Sequence, residues 1–164
     1  MAAMSFHGMD ITVRGYIERA IGQVCCRQHI GKDGSLSLGF GEVIRLKTAI
    51  AEADHGTWEV GTYYRSWRVV HGRRILCGSQ DQVDDINEFR RVIRAIEWGR
   101  LSDIRQHNGI DVRIEFNTGV FVDILSTISD YDEVFHMFLP ENIVVAFSVV
   151  KGWKAGPSDK PWKE

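Results

Sequence analysis

A chain of 164 residues with 20 basic and 22 acidic side chains has a formal net charge of −2, so neither sign dominates and no nucleic-acid footprint is expected. With 44% hydrophobic and 26% charged residues, it is long and apolar enough to bury a core without staples. Its longest apolar runs, such as Ile143 to Phe147, are too short to span a bilayer.

The first residues, Met1 to Gly8, have neither a basic stretch nor an apolar stretch, so no signal peptide is expected. Three cysteines, Cys25, Cys26 and Cys77, form no Cys-x-x-Cys spacing. Reduced thiols in a cytoplasmic protein, without a metal site or cofactor, are the expectation.

Residues 1–9 read as a loose lead-in. Asp10 is placed to cap a short helix over 12–21, in which Val13, Ile17, Ala20 and Ile21 fall at helical spacing and Gly22 marks the stop. Strands follow at Val24 to His29 and at Ser35 to Phe40, where Leu36, Leu38 and Phe40 alternate with Ser37 and Gly39. Residues 43–53 fit either a strand at Val43 to Leu46 or a helical turn from Thr48 to Ala53. Trp58 to Tyr64, Ser66 to Val70 and Arg74 to Cys77 read as three more strands, with a turn at His71-Gly72.

The main amphipathic helix is predicted at about 81–98. Ser79 to Gln82 makes a candidate capping box, and Val83, Ile86, Phe89, Ile93 and Ile96 share a face. Acids come first and arginines last, which suits the helix dipole. Ile110 to Phe116 and Val120 to Ile124 then alternate as a hairpin around Asn117-Thr118-Gly119. After the polar stretch Ser126 to Asp132 come strands at Val134 to Leu139 and Ile143 to Val150. The tail 154–164 reads as an extended surface segment.

The fold class expected is α+β: one sheet-rich domain over 1–164. It contains two similar helix-plus-antiparallel-β halves at about 10–80 and 81–153, taken as pseudo-duplicated. Leu36 to Phe40 matches Val112 to Phe116, and Arg27-Gln28-His29 matches Arg105-Gln106-His107. The second match sets His29 and His107 at corresponding places.

Candidate chemistry is sparse. No nucleophile elbow, Walker loop, dinucleotide fingerprint or His-Glu-x-x-His is present. His29, His107 and Asp123 could converge between the halves as an acid–base site, whereas His136, between Phe135 and Met137, reads as a half-buried histidine. Trp58, Tyr63, Tyr64, Arg65 and Trp67 have the composition of a protein-binding hot spot. Asp130, Asp132 and Glu133 form an acidic loop without calcium-loop spacing.

Taken together, Gly39-Phe40-Gly41-Glu42, the strands bearing Trp58 and Trp67, the acidic loop and the missing catalytic signature give a resemblance. The chain resembles small bacterial β-rich proteins of unassigned function, among them immunity-type partners of toxins. That resemblance implies a non-enzymatic binding protein acting on a protein partner. The alternative is a small-molecule enzyme using His29, His107 and Asp123 between the halves. Homo-oligomerisation through an exposed strand edge is left open.

Overall fold

The computed structural model describes residues 9–47, 52–63, 66–129 and 133–158. Two helices and eleven strands appear in the order α1 (Ile11–Glu18), β1 (Cys25–Ile30), β2 (Leu36–Lys47), β3 (Glu52–Gly61), β4 (Ser66–His71), β5 (Arg74–Gly78), α2 (Ile86–Arg94), β6 (Leu101–His107), β7 (Asp111–Phe116), β8 (Val120–Leu125), β9 (Phe135–Leu139), β10 (Ile143–Ser148) and β11 (Gly152–Pro157). The α+β, sheet-rich class is the one expected from the sequence.

The strands form two antiparallel sheets, one ordered β1-β2-β3-β9-β10-β11 and the other β5-β4-β8-β7-β6. Both follow one scheme. Each half supplies a helix and a three-strand meander, and then sends its next strands across to the other sheet. There β4 pairs with β8, and β9 pairs with β3. Among the described residues only β11 has no counterpart. The scheme extends to detail: β1 bulges between Cys25 and Arg27 against β2, and β6 bulges between Leu101 and Asp103 against β7. The sheets touch at their first strands, where Val24 and Arg100 form an antiparallel bridge and the Cys25 and Leu101 N–H groups donate to Gly99 and Gln23.

Alternation places Leu36, Leu38, Phe40, Val60, Met137, Val145 and Phe147 of the first sheet inward, with Val69, Val112, Ile114, Phe116, Val122 and Ile124 of the second. These side chains and the inner faces of both helices make one core. Each fully buried aliphatic or aromatic residue contributes about 1.5–3 kcal/mol relative to an exposed one. Phe40 stacks on Phe116 at 6.0 Å and ties the two sheets together. The helices sit by the first strand of the opposite half: Arg14 of α1 donates to the Ile104 carbonyl of β6, and Arg90 of α2 to the Ile30 carbonyl of β1.

Several local expectations change. Asp10 caps α1 as expected, accepting from Val13 N–H at 2.9 Å. Helix α2 is shorter than 81–98 at both ends. Its cap is Asp85, whose carboxylate accepts from Asn87 N–H, while Ser79 accepts from Trp67 N–H instead of opening a capping box. At the other end Trp98 is buried and donates to the Ile93 carbonyl, closing the last turn. Glu52 and Ala53 pair with Lys47 and Leu46 in a β ladder, not a helical turn; Thr48 to Ala51 lie outside the described residues. The tail is not a loose surface segment throughout. Its start belongs to β11, which pairs with β10 along its length and buries Trp153 against Phe135 and Phe147. Among the described residues no helix is long and apolar enough to cross a membrane.

Candidate functional site

The outer face of the six-stranded sheet is built by the residues that alternate with its core. Two cross-strand rows run over it: His29, Ser37, Gly61 and His136, and beside them Arg27, Gly39, Glu59 and Phe138. Each row holds a glycine in its middle, Gly61 in the first and Gly39 in the second, so side chains from neighbouring strands lie across it. Arg27 pairs with Glu59 at 2.6 Å, and the Glu59 carboxylate also accepts from Gly56 N–H at 2.7 Å. A Cβ at Gly39 would stand 2.6 Å from that carboxylate. In the other row the imidazole of His136 takes the space a Cβ at Gly61 would need.

His136 is enclosed by aromatic rings. Tyr63 lies 4.2 Å from it and Phe138 5.0 Å. Burial alone pushes the imidazole down to about 4, so it is neutral near pH 7. Its Nδ1 has no hydrogen-bond partner among the described residues. Tyr63 donates its hydroxyl to Glu133 at 3.2 Å. Tyr63 is 36% exposed and Phe138 is 40% exposed, so the cluster has a half-buried polar centre and an aromatic rim in contact with solvent.

At the other end of the face, a groove of about 710 Å³ opens between β1, β2, β3 and the end of α2. Arg27, His29, Val43, Arg45, Asp54 and Arg94 line it. The His29 imidazole is lowered by burial first, and then by Arg27, Arg90 and Arg94. Cys26 also lines the groove, but burial raises its thiol, as it raises Cys25 and Cys77 to about 12. None of the three is poised as a thiolate nucleophile.

The residues singled out from the sequence separate in space. Tyr63 and Glu133 come together, as just described. Trp67 is corrected to a core residue: it is 2% exposed, stacks on Phe89 at 5.9 Å and donates its indole N–H to the Gly34 carbonyl. Trp58 is half-buried against the core, with its indole nitrogen enclosed. Tyr64, Arg65, Asp130 and Asp132 lie outside the described residues.

The trio His29, His107 and Asp123 is not assembled. His29 is in β1 of the six-stranded sheet, while His107 ends β6 of the other sheet, paired with Asp111. The strand registers place His29 opposite Ser37, in the position that Arg105 takes opposite Arg113, so His29 and His107 do not correspond. Asp123 is 1% exposed in β8 and fully engaged. Arg113 donates to both of its oxygens, the shorter bond at 2.7 Å, and Arg68 donates twice to Oδ2 at 3.1 and 3.2 Å. Such a carboxylate is an internal counter-ion, with no lone pair turned to a substrate.

Sequence reasoning missed Gly61, Phe138, Arg45 and Arg94. The available signal was glycine inside strand-forming stretches, which marks close approach of another group. Among the described residues no group of three or more His, Cys, Asp or Glu side chains is placed to hold a metal ion. Comparison with protein-family models, curated proteins and solved structures finds no match to the chain.

Proposed function

We propose that the chain is a non-enzymatic binding protein that engages a protein partner through the patch formed by Tyr63, Glu133, His136 and Phe138. The observation that carries this reading is the pair of solvent-exposed aromatic rings held against a half-buried imidazole whose Nδ1 is enclosed. Rigid aromatic groups beside enclosed polar atoms are what interface centres are made of, because they release water at little cost in side-chain entropy. The buried thiols and the saturated Asp123 also favour binding over catalysis. Inhibition of a toxin, in the manner of an immunity protein, is the form of partner binding that the sequence resemblance suggests. A cytoplasmic setting would keep the three free cysteines reduced.

The test is affinity capture from lysate of the source cell, comparing the wild-type chain with Tyr63→Ala/Phe138→Ala. The expected result is a partner retained by the wild type at high salt and lost by a variant whose melting temperature is unchanged. Capture of the same proteins by both, or of none by the wild type, overturns the proposal.

A further inference from the structure

We propose that the groove between α2 and the outer face of β1, β2 and β3 binds a small multivalent oxyanion, a molecule bearing phosphate or several carboxylates. This site is separate from the aromatic patch and does not depend on it. Arg27, Arg45 and Arg94 line the groove against a single acid, Asp54. Glu59, behind Arg27, is turned to Arg27 and to Gly56 N–H. The Nε of Arg94 donates to the Arg90 carbonyl, and among the described residues no carboxylate pairs with its guanidinium. Arg45 meets Asp54 only at 3.7 Å, and its side chain is 76% exposed.

Two planar forks are therefore open to a ligand, and guanidinium forks match phosphate and carboxylate oxygens bidentately. Arg90 adds a fourth positive charge close by, in a chain whose net charge is −2. Val43, 49% exposed, supplies an apolar wall for the rest of the ligand. The volume of about 710 Å³ lies within the range of about 300–1,000 Å³ usual for small-molecule sites.

Calorimetric titration of the whole chain with inorganic pyrophosphate, with citrate, and with sodium chloride at matched ionic strength tests the site. Saturable one-to-one binding of either multivalent anion is expected, the preferred one naming the ligand chemistry. Arg45→Gln/Arg94→Gln should lose at least about tenfold in affinity. Arg19→Gln, at the end of α1 and outside the groove, should bind as the wild type does. Thermal melts establish that each variant is folded. No saturable binding of either anion, or equal affinity in Arg45→Gln/Arg94→Gln, overturns the proposal.

Discussion

The imidazole of His136 in β9 occupies the space that a Cβ at Gly61 in β3 would fill. Gly61→Ala should therefore force the ring from its seat and cost about 1–3 kcal/mol, read by urea denaturation. Gly15 is the contrast. It lies in α1 with nothing within 4 Å of an added Cβ. Gly15→Ala should stabilise by about 0.5–1 kcal/mol, because alanine is the better helix former. Equal effects at the two positions would contradict the packing at Gly61.

Acid should act through the same histidine. Its folded value is about 4, against about 6.5 in the unfolded chain. Between those values the unfolded state binds more protons, so stability is fully present above about 6.5 and declines as pH falls towards 4. The slope from this group approaches about 1.4 kcal/mol per pH unit. His29, lowered by burial and by neighbouring arginines, acts in the same direction. His136→Leu should flatten the decline; an unchanged slope would place the titration elsewhere.

Asp123 holds Arg68 and Arg113 together on the five-stranded sheet. Asp123→Asn should cost about 3–5 kcal/mol, because it leaves Arg113 enclosed without its counter-charge. Arg68→Ala should cost less: the Arg68 side chain is 43% exposed and Arg113 remains on the carboxylate. Chemical denaturation of both variants measures the order, and the reverse order would refute this reading of the cluster.

Thiol chemistry offers a fourth measurement. Cys25 and Cys77 are buried and raised to about 12, whereas Cys26 is only half-buried. Iodoacetamide at pH 8 should modify Cys26 slowly and leave the other two untouched until the chain unfolds. Mass spectrometry of the native protein reads this directly, and early modification of Cys77 would contradict its burial.

Much of the fold was legible because alternation reports burial. Val112, Ile114 and Phe116, and Leu36, Leu38 and Phe40, read as strand faces from sequence and are buried faces in the structure. Helix α2 was legible from the spacing of Ile86, Phe89 and Ile93, but its first turn was not. Ser79, Asp81 and Asp85 are all good caps, and only the tertiary structure settles which one starts the helix: Ser79 accepts from Trp67 N–H and Asp81 from Gly78 N–H, which leaves Asp85 to cap Asn87 N–H. The site was less legible. Trp67 and Tyr63 are a few residues apart and of similar character, yet one is core and the other rim. Period two assigns residues to opposite faces without saying which face is covered.

By itself, the sequence determined the elements and their buried stripes, because these depend on residues close together in the chain. It also bounded the chemistry, because it has no nucleophile elbow, Walker loop, dinucleotide fingerprint or His-Glu-x-x-His. Tertiary structure alone decided that β4 and β9 cross between sheets, that Gly61 makes room for His136, that Arg45 and Arg94 share a groove, and that His29, His107 and Asp123 stay apart. Those relations join residues far apart in sequence, and pairing between distant strands leaves no periodic mark on either one.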